Sequence, residues 1–323
     1  MCSSDLVAVL GGWLVIKGRL KIGDIQAFIQ YMQQFNQPLS QVANIANVLQ
    51  STAAAAERVF EFLDEQEESA ERGKRIKTSS VKGEVVFKDV VFGYSPDKPV
   101  IKDLSAHVAP GQRVAIVGPT GAGKTTLVNL LMRFYEIDGG SITIDGVDIR
   151  DMRRSDVRKM FSMVLQDTWL FNGTIRDNLL YGNPKASEEE MIAVAKEAHV
   201  DHFVRSLPGG YDMVLGEAAE NISQGERQLL TIARAMLAQT PILILDEATS
   251  SVDTRTEVLI QKAMDKLMQG KTSFVIAHRL STIRDADLIL VVRDGNIVEQ
   301  GAHDELLKQK GFYAELYNSQ FNE

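Results

Sequence analysis

The run Gly118, Pro119, Thr120, Gly121, Ala122, Gly123, Lys124 and Thr125 follows the apolar stretch Val114 to Val117 and precedes the helix-forming stretch Leu127 to Phe134. A glycine-rich turn between a strand and a helix lets backbone N–H groups converge on a polyphosphate. Lys124 adds a point charge, the Thr125 hydroxyl can ligate Mg²⁺, and Thr126 continues the first helical turn, whose N-terminus carries positive potential. A chain with this run in this setting is held to a fold in which a buried strand feeds a helix through a tight phosphate-binding loop.

Other apolar runs agree with such a fold. Val85 to Phe87, Arg113 to Val117, Ile242 to Leu245, Ser273 to Ala277 and Leu288 to Val292 read as strands alternating with helical stretches, the pattern of an α/β domain. The net charge of −8 provides no general field for phosphate backbones, so any anion site is local and nucleic acid is not an expected partner. A lone cysteine, Cys2, excludes an internal disulfide framework and cysteine-based zinc sites.

The first 60 residues have another character. Leu6 to Ile16 is continuously apolar, Lys17, Arg19 and Lys21 follow, and Ile25 to Ala56 has no charged residue. As a helix, the uncharged stretch spans about 48 Å, more than a bilayer core of about 30 Å. Gln26, Gln30, Gln33, Gln34, Asn36, Gln37, Gln41, Asn44, Asn47 and Gln50 interrupt its apolar residues. A membrane helix with so many amides is expected to face a bundle interior or a water-filled cavity, and Pro38 is a candidate kink. A soluble coiled-coil helix is the alternative. Leu6 to Ile16 is too short for a span. Because Cys2-Ser-Ser-Asp-Leu6 resembles a translated sequencing adapter, the expectation is a fragment lacking the N-terminal part of a longer protein. The charge-dense stretch from Asp64 reads as a linker. The expected organisation is therefore 1–63 (partial helix 6–16, long helix 25–63), a linker 64–80, and a nucleotide-binding domain 81–323.

Two downstream elements carry chemistry. Ile242 to Leu245 ends on Asp246 and Glu247, one carboxylate for Mg²⁺ and one able to polarise water. Ser223, Gln224, Gly225 and Glu226 open a helix with the Ser-x-x-Glu pattern of a capping box, a helix start that can also receive an anion.

The run Asn221-Ile-Ser-Gln-Gly-Glu-Arg-Gln228, lying shortly before Asp246-Glu247, resembles the signature motif of ATP-binding cassette (ABC) ATPases. The rest of that family's set follows in order over about Val81 to Glu323. The resemblance implies that Tyr94 stacks on adenine, that Gln166 touches Mg²⁺ and senses the membrane domain, that Ser250 to Asp253 crosses to the partner subunit, and that His278 lies near the γ-phosphate. It further implies a P-loop NTPase fold preceded by the last transmembrane helix region of an exporter, with ATP and Mg²⁺ as cofactors and a cell-membrane location. The implied assembly is a head-to-tail dimer in which ATP on Gly118 to Thr125 is closed over by Ser223 and Gly225 of a second subunit. Rival readings are a non-transport ABC-type mechanical module and a small-molecule kinase. This sequence departs from the family at Gln224, usually glycine, at Glu226, usually glutamine, and at Gly216-Glu-Ala-Ala219.

Overall fold

The computed structural model describes residues 3–65, 67–68, 71, 73–76, 80–95, 97–216, 219–246, 252–277 and 280–321. They fall into two compact units, residues 1–70 and 71–323.

The first unit is a pair of helices, α1 (Ser3–Ile16) and α2 (Ile22–Asp64). Gly18, at φ 65°, reverses the chain between them. Gly11 admits a close approach of Ile25, whose Cγ1 would stand 2.9 Å from an added Cβ. The Asp24 carboxylate accepts the Lys21 N–H at 2.9 Å and so satisfies a donor at the start of α2. The long helix continues through Pro38 and has no buried residue, leaving Phe28, Phe35, Leu39 and Leu49 on the surface. Among the described residues no helix is long and apolar enough to cross a membrane. For α2 the reason is composition rather than length, because its amides dilute the apolar residues at every turn.

The second unit opens with β1 (Val85–Ser95), β2 (Lys98–Val108) and β3 (Arg113–Val117), followed by α3 (Lys124–Leu131). Next come β4 (Gly139–Ile144), β5 (Val147–Asp148), α4 (Arg154–Arg158), β6 (Phe161–Val164), β7 (Gly173–Thr174), α5 (Ile175–Leu180), α6 (Glu188–Glu197) and α7 (Asp201–Ser206). The chain then forms β8 (Val214–Leu215), α8 (Gln224–Ala238), β9 (Ile242–Asp246), α9 (Thr254–Met268), β10 (Thr272–Ile276) and α10 (Leu280–Arg284). It ends with β11 (Leu288–Arg293), β12 (Asn296–Gly301), α11 (His303–Gln309) and α12 (Phe312–Phe321).

The larger sheet has the order β12-β11-β3-β10-β9-β6; β11 to β6 run parallel and β12 is an antiparallel edge. A second, antiparallel sheet has the order β2-β1-β4-β5. Side chains alternate across the larger sheet as a two-sided buried sheet requires. Ile242 and Ile244 join Val114, Ile116, Phe274 and α3 in the core against the antiparallel sheet. Leu243, Leu245 and Val275 enter a separate core with α5 to α9. Ala115, Val117, Ile289 and Val291 pack with Leu306 and Tyr313. These layers are the α/β architecture expected from the apolar runs, with helices on both faces of a mostly parallel sheet.

Glu71, Lys74 and Ile76 dock around the start of α4. The Glu71 carboxylate accepts the Arg154 N–H at 2.6 Å, the Ile76 N–H reaches Asp156 at 3.2 Å, and Lys74 bridges Met152. Beneath them Arg133, nearly buried, donates to the carbonyls of Ile149 and Met152 at 2.9 and 2.7 Å. Glu136 joins Arg133 to Arg154.

Candidate phosphate-binding site

The carboxyl ends of four parallel strands converge on one edge. Ile276 pairs with Ile116 on one side and Asp246 on the other, while Val164 pairs with Leu245. This register brings the loop after β3, the end of β9 and the segment after β6 side by side. In open α/β sheets ligands bind at this carboxyl edge.

The loop itself is shaped by its glycines and by its anchors. Gly118 has φ 154°, and a Cβ there would run into the Val292 carbonyl oxygen of β11. Gly123, at φ 107°, starts α3 from the left-handed region, which side chains other than hydrogen resist. The Gly295 N–H, in the turn between β11 and β12, donates to the Ala122 carbonyl at 3.1 Å. Lys124 arches over the loop and donates to the carbonyls of Gly118 and Pro119 at 2.8 and 3.0 Å. Burial lowers its pKa, and the negative charge of Asp246 acts in the opposite sense. Lys124 and Asp246 are thus electrostatic neighbours across the sheet edge, although far apart in sequence.

Beside the loop, Thr125 is exposed and Thr126 is buried. Tyr94, at the end of β1, brings its hydroxyl to 3.2 Å from Thr126 Oγ1. Tyr94 is 52% exposed, and its ring is nearly perpendicular to those of Phe92 and Tyr135, with centroids 5.0 and 5.1 Å away. Gln166 is exposed just beyond β6. The oxygen donors at this edge, the Thr125 hydroxyl, the Asp246 carboxylate and the Gln166 amide, are of the hard type that Mg²⁺ prefers. Glu247, His278, Ser250 and Ser251 lie outside the described residues.

Ser223, Gln224, Gly225 and Glu226 form the start of α8, which packs against α9, α5, α6 and β6. Gly225 allows the first turn of α8 to meet α9; a Cβ there would collide with Thr256 Cγ2 and stand 3.1 Å from Val252 Cγ1. The capping box forms as the sequence suggests. Glu226 Oε2 accepts the Ser223 N–H at 2.8 Å and the Ser223 hydroxyl at 2.7 Å, and Ser223 Oγ accepts the Glu226 N–H at 3.3 Å. Asp253 caps α9, accepting from the N–H groups of Arg255 and Thr256.

Two contributors to this geometry escape sequence reading. Tyr135 completes the aromatic cluster around Tyr94, and Gly295 ties the loop to the edge hairpin, while Thr126, already placed beside the loop by the sequence, meets the Tyr94 hydroxyl. Only Gly295 leaves a local sign, the turn-forming Asp294-Gly295-Asn296.

A glycine loop opening a helix at the carboxyl edge of a parallel sheet, with a lysine and a strand-end aspartate facing each other, defines the second unit as a P-loop nucleotide-binding fold. More particularly, it is an ABC transporter ATP-binding domain: the ABC transporter family model matches residues 101–250. The chain is 58% identical over 310 residues to the fatty acid ABC transporter ATP-binding/permease protein of Mycobacterium tuberculosis, covering 96% of this chain and 49% of that protein. It is 46% identical over 311 residues to the ATP-dependent lipid A-core flippase of Desulfotalea psychrophila, covering 96% and 54%. The solved structure of a bacterial Atm1-family ABC exporter with ATP bound matches at TM-score 0.75 and 39% identity, covering 99% of this chain and 57% of that one. The chain thus spans about half the length of the curated relatives it matches.

Proposed function

We propose that this chain is the ATP-hydrolysing portion of an ABC exporter in the cell membrane, with residues 1–63 the end of its transmembrane domain, 64–80 a linker and 81–323 the motor. The observation that carries the reading is the Lys124 ammonium held over the phosphate loop with Asp246 beside it. Lys124 would exchange its two carbonyl partners for the β- and γ-phosphates, and the loop N–H groups would meet the remaining charge with dipoles arranged beforehand. Tyr94 would stack on the adenine. Mg²⁺, held by Thr125, Asp246 and Gln166, supplies neutralisation of phosphate charge when bound. Glu247 would orient or deprotonate the attacking water and His278 would hold the γ-phosphate. Ser223 and Gly225 would close over the nucleotide of a second subunit in a head-to-tail dimer, homo- or heteromeric. Since relatives bear fatty acid and lipid names, the proposed cargo is an amphipathic lipid.

The test is phosphate release from ATP by the full chain in detergent. Release that needs Mg²⁺ and stops with EDTA is expected; none at saturating Mg-ATP would contradict the reading. A second reading, a mechanical ATPase whose α2 packs on a protein partner, is supported by the exposed Phe28, Phe35, Leu39 and Leu49 of that amide-rich helix. Extraction from membranes by salt alone, rather than by detergent, would support it.

A further inference from the structure

Ser223 has one hydroxyl proton, and the structure shows where it goes. It is donated to Glu226 Oε2 at 2.7 Å, and the Ser223 N–H goes to the same oxygen at 2.8 Å. The Ser223 hydroxyl, a donor that an incoming γ-phosphate would seek at the start of α8, is therefore already taken by an anion belonging to the chain. A carboxylate placed here also offsets the positive end of a 15-residue helix. The return bond, from Glu226 N–H to Ser223 Oγ, is longer at 3.3 Å, so the box is held chiefly through the carboxylate.

Glu226 also borders a cleft of about 430 Å³ whose lining includes Lys196, His199, His202 and Arg255. Asp201, the other carboxylate lining it, is occupied by Arg205 at 2.8 Å and by the Tyr211 hydroxyl at 2.7 Å. Apart from Asp201 and Glu226, the charged side chains lining the cleft are Lys196 and Arg255. A Glu226 carboxylate released from Ser223 would share the cleft with Lys196 and Arg255, beside the apolar side chains of Phe203, Leu229 and Leu259.

We propose that Glu226 is a built-in competitor for the γ-phosphate: it holds the Ser223 hydroxyl while the dimer is open and swings toward the Lys196 side of the cleft when nucleotide arrives, setting the nucleotide concentration at which the dimer closes. This rests on the head-to-tail closure proposed above. Glu226 is thereby a positioning residue acting through Ser223. A glutamine at this place keeps an acceptor for the Ser223 N–H but gives up the charge, so it holds the hydroxyl less tightly.

The experiment measures association of the full chain in detergent against the concentration of Mg-AMP-PNP, by sedimentation velocity. Glu226→Gln is expected to lower the half-saturating concentration two- to fivefold at low salt, less at high salt. Glu190→Gln makes the same change in the capping box of α6, where Glu190 accepts the Ser187 N–H at 2.8 Å, and is expected to leave the midpoint where it is. Lys196→Ala is expected to raise the midpoint in the wild type and not in the Glu226→Gln background. An unchanged or raised midpoint in Glu226→Gln, or an equal effect from Glu190→Gln, would overturn the competitor role. Lys124→Ala separates this from the parent reading: loss of association in that variant leaves head-to-tail closure standing whatever Glu226 does, whereas nucleotide-driven association that survives it, or none in the wild type, overturns both.

Discussion

Replacing Gly118 by alanine tests whether the phosphate loop is held by a backbone-to-backbone contact. The obstacle to a Cβ at this position is the Val292 carbonyl oxygen, part of the β11 backbone and unable to rotate away. Accommodating it requires β3 and β11 to part at their carboxyl ends, where Val291 pairs with Val117. Overpacking of this kind costs roughly 1–3 kcal/mol. The φ of 154° adds about 1–2 kcal/mol of backbone strain. The expected loss is therefore about 2–5 kcal/mol, a large share of the roughly 5–15 kcal/mol that holds an ordinary domain together. Gly121 provides the control: at φ 80° it has the strain but nothing within 4 Å of an added Cβ, so Gly121→Ala should cost about 1–2 kcal/mol. Urea unfolding followed by tryptophan fluorescence compares the two variants. If Gly118→Ala destabilises no more than Gly121→Ala, the β11 carbonyl does not constrain the loop and the steric argument fails.

Tyr94→Ala is expected to weaken nucleotide affinity by roughly 1–3 kcal/mol, the scale of base–aromatic stacking; an unchanged dissociation constant would assign the ring to packing with Phe92 and Tyr135 alone. Burial pushes the Glu136 carboxyl up, but hydrogen bonds from Arg133 and Arg154 outweigh it and hold the group below its ordinary 4.5. A depressed folded value means that the stabilisation is complete above the unfolded pKa and disappears as pH falls through the folded one. Glu136→Gln should therefore cost roughly 1–2 kcal/mol at pH 7, allowing for solvent screening, and converge with the wild type in acid; a difference that persists or grows in acid would refute the ion-pair account.

The sequence exposes local devices well and long-range ones poorly. The phosphate loop is legible because its glycines and flanking runs are contiguous, and the Ser223-Glu226 box because a capping box needs only residues three apart. Ile242 to Leu245 reads as a strand from its apolar residues, yet nothing local tells that Asp246 ends in register with Ile276 and beside Lys124. That follows from strand order, which periodicity does not encode. The same limit hides Gly295 from the loop it anchors. Residues 71–76 read as solvated charge, while Glu71 spends its carboxylate on the Arg154 backbone, a contact that only the fold creates. In α2 the competing signals of length and amide content are both visible in the chain, and the amides decide its hydropathy.

Direct titration of ATP into the wild-type chain and into Lys124→Ala, by isothermal calorimetry in Mg²⁺, tests the central claim of a phosphate site at Gly118 to Thr125. The wild type should bind, and the variant should bind at least tenfold more weakly, about 1.4 kcal/mol or more, because it loses the charge now resting on the Gly118 and Pro119 carbonyls. Equal affinity in the two proteins, with matching circular dichroism spectra, would place the nucleotide elsewhere and contradict the account.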